Sequence, residues 1–187
     1  MSTHTKHHGV NTFYFVTFTC YKWLSLIHKT NLYGYFQKWS SQLSKRGVSI
    51  SAYVIMPNHV HFLFYVDESC IDFNKAIGES KRFLAYEIVK RLKNQNETEV
   101  LRALSEGVQE SEKKKGKKHQ VFRLSFDAKE VSDVKDLSKV VDYIHLNPTE
   151  GKWELVNDYV KYPYSSAGFY EEGKDAGLKL LDYREVI

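Results

Sequence analysis

Two histidines, His59 and His61, stand two residues apart inside the apolar run YVIMPNHVHFLF from Tyr53 to Phe64. A β-strand sends successive side chains to opposite faces, so both imidazoles project from the same side. Consecutive same-face histidines are unusual in a buried strand. Side by side, two imidazoles make a ready pair of metal ligands. They also fit a plainer role, as strand histidines hydrogen-bonded to neighbours. The pair alone leaves both readings open. As ligands they need a third donor and, in a catalytic site, a position left for water or substrate.

The elements that must position this pair follow from patterning. Residues 48–56 and 59–66 read as strands joined by Pro57 and Asn58. Proline suits the first central position of a tight turn and asparagine tolerates the second, so the strands should form a hairpin. Residues 12–21, TFYFVTFTCY, are β-branched and aromatic throughout. That pattern predicts a strand with both faces covered, as at the centre of a sheet. Residues 31–45 place Leu32, Tyr35, Phe36, Trp39 and Leu43 at helical spacing, with Gly47 as the stop. Residues 72–93 read as a long helix with Phe73, Ile77, Phe83, Leu84, Ile88 and Leu92 as its inner positions.

Residues 94–119 carry the weakest pattern. They include five lysines in the six residues 113–118. Such a run fits a solvated loop or an arm that touches phosphates. Residues 120–126 predict a fourth strand, and residues 133–146 a further helix ended by Pro148. Residues 159–187, punctuated by tyrosine and glycine, should wrap the surface. The order is that of an α+β, ferredoxin-like βαββαβ antiparallel sheet with an additional C-terminal helix. Helices on one face are its simplest packing.

The helix at 133–146 offers the missing donor. Val134, Leu137, Val140, Val141 and Ile144 form its apolar stripe. At ~100° per residue, Tyr143 lies ~120° from the centre of that stripe, and Asn147 falls on nearly the same side. His145 lies ~160° from Tyr143 around the axis and is a poor direct partner for it. A phenol and an amide thus share the edge of the buried face. Each also has an ordinary role, Tyr143 as a half-buried packing residue and Asn147 as a helix cap.

Bulk properties narrow the class. The 187 residues suit one domain, residues 1–187, with a core over about 10–166, a lysine-rich insertion near 94–119 and a tail at 167–187. A hydrophobic fraction of 42% excludes a disordered chain. The net charge of +4 is a mild bias toward polyanions. Cys20 and Cys70 have no zinc-knuckle or disulfide-scaffold spacing. There is no apolar leader at the N-terminus and no run of ~18 apolar residues. The expectation is a cytoplasmic protein with no membrane partner.

Several blocks then align with one family. Residues 54–64 resemble the histidine–hydrophobe–histidine (HUH) motif of single-tyrosine transposases. Residues 141–148, VDYIHLNP, resemble their block bearing the nucleophilic tyrosine. Residues 162–166, YPYSS, are similar to the tail motif that follows it, and YFVTF at 14–18 to their first strand. The branch resembled is that of the REP-associated tyrosine transposases and their insertion-sequence relatives, which implies a prokaryotic, nucleoid-associated protein.

The resemblance implies a metal-dependent single-stranded DNA transposase or nickase, acting on DNA with hairpin ends. Tyr143 is implied as nucleophile, forming a covalent 5′-phosphotyrosine. His59, His61 and Asn147 are implied as metal ligands, for Mg²⁺ or Mn²⁺. Ligand chemistry alone ranks Mn²⁺ or Zn²⁺ above Mg²⁺ for two imidazoles, so the metal's identity stays open. Lys81, Arg82 and Arg123 are candidate DNA contacts. Relatives include homodimers whose tyrosine helix serves the partner's histidines, which leaves a monomer or a homodimer open. Two other readings remain: a domesticated DNA- or RNA-binding module that has lost cleavage, and a phosphodiesterase using water as nucleophile.

Overall fold

The computed structural model describes residues 9–124, 127–151 and 154–187. Four antiparallel strands form one sheet in the order β2-β3-β1-β4: β1 is Thr12–Thr19, β2 Val48–Ile55, β3 His59–Val66 and β4 Asp127–Val131. This is the split βαβ arrangement expected from the element order. β1 lies between β3 and β4, and helices on both sides of the sheet bury Tyr14, Val16 and Phe18 on one of its faces and Phe13 on the other. The hairpin forms at Pro57 and Asn58, where the Met56 amide donates to the His59 carbonyl at 2.9 Å.

One face of the sheet carries two helices, α2 (Tyr35–Ser44) and α3 (Phe73–Asn94), after a short α1 (Leu26–Lys29). Phe36, Trp39 and Leu43 from α2 meet Phe18, Phe62 and Phe64 from the strands in a buried, largely aromatic core. The indole of Trp39 donates to the Ser80 carbonyl at 2.9 Å and ties α2 to α3. Asp72 caps α3 by accepting from the Lys75 amide. Gly47 ends the approach to β2 at φ +71°, and a Cβ there would come within 2.5 Å of Asp67 and Ser69. Phe83 departs from its expected inner place and is exposed, because the face α3 turns to the sheet is that of Phe73, Ala76, Ile77, Ser80, Leu84, Ile88 and Leu92.

The opposite face holds α6 (Val134–Leu146), so helices cover both faces and not one. Leu137, Val141 and Ile144 pack on Phe13, Ala52, Val54 and Leu63. Val134 is exposed at the start of the stripe, one turn before α6 reaches the sheet. Asp133 caps this helix through the Lys135 amide.

Three further expectations need correction. The fourth strand is Asp127–Val131, not 120–126. Val121–Arg123 runs past the end of β1, bridged at Cys20 and Phe122, while residues 125 and 126 lie outside the described residues. Residues 94–119 contain two helices, α4 (Thr98–Glu106) and α5 (Glu110–Lys113). Leu104 of α4 is fully buried, so a single apolar side anchors a segment otherwise rich in lysine and glutamate. The tail does more than wrap. Tyr164 and Ser166 exchange backbone hydrogen bonds with Ile55 and Tyr53, and Leu181 donates to Ile50. That covers the β2 edge, which would otherwise expose unpaired strand groups. A last helix, α7 (Ala167–Glu172), follows in the tail. No helix among the described residues is long and apolar enough to cross a membrane.

Candidate active site

His59 and His61 project from β3 toward α6, while Val60, Phe62 and Phe64 of the same strand enter the aromatic core. Each histidine is 5% exposed. Their ring centroids are 4.9 Å apart. Burial pushes His59 down to about 4, partly offset by the Asn147 amide oxygen, which a protonated ring could donate to. Burial, then the neighbouring His59, pushes His61 down to about 3. Both rings are therefore neutral at physiological pH, the form that binds metals.

Each ring is oriented from behind. The register pairs Thr17 of β1 with His61, and the Thr17 hydroxyl lies 2.8 Å from His61 Nδ1. Phe15, two residues earlier on β1, stacks on the His61 ring. His59 Nδ1 lies 2.7 Å from Asn58 Oδ1. The Asn58 amide nitrogen donates to the Trp23 carbonyl at 3.0 Å, which turns its oxygen toward His59. A neutral imidazole has one N–H, and this contact places it on Nδ1. The lone pair of Nε2 then faces outward. Such an outer hydrogen bond orients a ligating histidine and raises its basicity.

That lone pair meets Asn147, whose Oδ1 lies 3.1 Å from His59 Nε2. Two acceptors face each other there when the amide oxygen points at the ring. Donors held at ~2.1 Å on adjacent corners of an octahedral ion are ~3 Å apart. The separation therefore fits a cation shared by His59 and Asn147. Among the described residues no group of three or more histidine, cysteine or acidic side chains could hold a metal. The donor set here is two imidazoles and one amide oxygen.

Tyr143 comes from α6, one turn before Asn147, which caps that helix at its C-terminus. Its ring lies 5.3 Å from that of His61 and edge-on to Phe15 at 5.8 Å, and it is 47% exposed. Both contacts are within one chain. His145 turns the other way, as the helix geometry requires. It is buried, lies 2.8 Å from Ser166 Oγ, and is held down to about 4 by burial. Ser166 in turn bonds the backbone of Tyr53. The helix is thus pinned to β2 through the tail, on the side away from Tyr143.

This fold occurs in a solved tyrosine transposase. That structure, a REP-associated tyrosine transposase bound to a REP hairpin, is similar with a TM-score of 0.60 and 19% identity, covering 97% of this chain and 93% of that one. At that identity the likeness establishes the fold. No protein-family model and no curated protein matches the sequence.

The candidate DNA contacts are placed elsewhere. Lys81 and Arg82 belong to α3, across the sheet from the histidines. Lys81 donates to the Arg123 carbonyl at 2.7 Å and lies over the rings of Phe18 and Phe122. Its ammonium fastens the 121–123 segment. Arg82 and Arg123 are exposed. Sequence reasoning missed Thr17, Phe15, Asn58 and Trp23. Two of these had a signal: period-two alternation puts Phe15 and Thr17 on one face of the strand predicted at residues 12–21. Asn58 was assigned only to the turn, and the spacing of Trp23 pointed nowhere.

Proposed function

We propose that this chain is a metal-dependent single-stranded DNA nickase and strand transferase of the tyrosine transposase kind, with its active site formed within one chain. One observation carries this reading. Tyr143 of α6 and Asn147, the C-cap one turn later, meet His61 and His59, neighbours on one face of β3. The fold shared with a transposase supports the same class.

Tyr143 Oη attacks the scissile phosphorus of a bound strand. The bond from phosphorus to the 3′-oxygen breaks, and that strand leaves with a 3′-hydroxyl. The 5′-phosphate stays linked to Tyr143, which conserves the energy of the phosphodiester for rejoining. The phenol proton passes to the solvent touching the half-exposed ring, and the departing 3′-oxygen takes a proton from solvent. Phe15 and His61 fix the ring plane, so little orientation has to be found during attack. Asn58 keeps the His59 proton on Nδ1, and Thr17 orients His61. Mg²⁺ or Mn²⁺ held by His59, His61 and Asn147 would polarise the phosphate and offset its developing charge.

The test uses a pool of DNA hairpins with randomised single-stranded flanks, incubated with Mn²⁺ or Mg²⁺. Wild-type protein should form covalent adducts that map to Tyr143, and Tyr143→Phe should form none while still binding. Cleavage that persists in Tyr143→Phe favours water as nucleophile. Binding with no metal-dependent cleavage by the wild type favours a binding module.

A further inference from the structure

Trp23 stands half in solvent, 51% exposed, with its ring edge-on to His59 at 5.7 Å. Indole is a side chain that proteins mostly bury. Here the backbone is arranged to present it. Lys22 and Trp23 have φ of +51° and +59°, and consecutive left-handed residues other than glycine are strained. The Trp23 amide donates to Cys20, and its carbonyl accepts from Asn58. Asn58 therefore holds both the proton position of His59 and the placement of the indole.

The order of groups along the sheet gives Trp23 a direction. The register pairs Phe15 with Leu63, Thr17 with His61 and Thr19 with His59, and the chain then reaches Trp23. Tyr143 packs at the Phe15 end. Tyr143 and Trp23 thus flank the histidine pair from opposite ends. Phosphoryl displacement proceeds in line, with the entering and leaving oxygens on opposite sides of phosphorus. A phosphate attacked by Tyr143 over His61 and His59 therefore sends its departing strand toward Trp23. Leu24 and Ser25 come next in the chain, and with His28 and Lys29 they line a groove of about 620 Å³.

We propose that Trp23 is a stacking platform for the nucleobase immediately 5′ of the scissile phosphate, in the nucleotide whose 3′-oxygen leaves. The polarity rests on the nickase reading; the stacking does not. An aromatic face suits a single-stranded base because every base offers a π-face. Holding this base keeps the freed 3′-hydroxyl beside the phosphotyrosine, where it can attack and rejoin.

Binding is measured first, with Tyr143→Phe protein, Mn²⁺ and a DNA hairpin bearing single-stranded thymidine flanks. One 2-aminopurine is stepped through the flank positions. One position should be quenched. Trp23→Ala should remove that quench and weaken binding roughly tenfold, within the range for one stacked base, and Trp23→Phe should retain much of both. Unchanged quenching with affinity within twofold in Trp23→Ala overturns the proposal, whether or not the chain cleaves DNA. An abasic site is then placed on either side of the scissile phosphate in an oligonucleotide recovered as an adduct. On the 5′ side its loss and that of Trp23→Ala should not add. Non-additivity on the 3′ side instead overturns the placement. A wild type that forms no adduct sinks the nickase reading, and the binding measurement still decides the stacking.

Discussion

The two faces of β3 differ in what they ask of the same eight residues. Toward α2 and α3, Val60, Phe62, Phe64 and Val66 meet other apolar side chains, and their contribution is burial. Toward α6, His59 and His61 are as well shielded from water, yet each ring is fixed by a polar or aromatic neighbour behind it. A strand whose alternation is apolar against apolar states only that it is central. One whose alternation is apolar against histidine states that one face has another task. Buried polar groups are costly when unpaired, so retaining two here requires the partners that Thr17 and Asn58 supply.

The sharpest way to separate the faces is to remove one group from each. Tyr143→Phe should abolish covalent adduct, read on denaturing gels, and leave urea stability unchanged because the hydroxyl is not part of the core. Phe62→Ala should do the reverse, lowering stability by about 3–5 kcal/mol as a large cavity opens under Trp39. His61→Ala, one position away, should cost roughly 1 kcal/mol in urea melts and remove metal-dependent cleavage. A His61→Ala protein that unfolds as readily as Phe62→Ala would mean that the histidine face is simply more core.

Asn58→Ala refines the comparison. The Asn58 backbone carbonyl still accepts from Cys20, so the turn should persist. The His59 proton loses its fixed site on Nδ1. Outer partners of ligating histidines are typically worth about 10–100-fold in metal affinity or activity. The expected result is a rise of that size in the Mn²⁺ concentration needed for half-maximal cleavage, with a stability loss of about 1–3 kcal/mol as the buried His59 ring and Trp23 carbonyl lose a partner. An unchanged metal requirement would place Asn58 in the turn alone.

The difference between the faces also explains what the sequence made legible. Period-two alternation exposed β1, β3 and the shared side of the histidines, because strand geometry is local. Helical phase placed Tyr143 and Asn147 together and turned His145 away for the same reason. The contacts that join elements were not legible. The Asn58–Trp23 bond crosses 35 positions, and the two residues sit in irregular backbone with no period to betray them. The fourth strand was misplaced because Val121 to Phe122 is more apolar than Asp127–Val131. Those residues are buried against the end of β1, whereas β4 is an edge strand and tolerates charge. The lysine run hid the helix Thr98–Glu106, whose burial is carried by Leu104.

Acid should distinguish the faces last and most gently. His59, His61 and His145, all on the α6 side, are held at about 4, 3 and 4, below the ordinary 6.5 of an exposed imidazole. Between those values the unfolded chain binds protons that the folded chain refuses. Stability therefore rises with pH through this window, is fully present above about 6.5, and is lost as pH falls toward 4. For His145, 2% exposed, the shift corresponds to about 3–4 kcal/mol across the whole window. Urea melts of metal-free protein at pH 7 and pH 5 should show the loss. His145→Gln should flatten the slope between them, whatever its effect at pH 7. A variant with the wild-type slope would mean that His145 takes up its proton without leaving its place against Ser166.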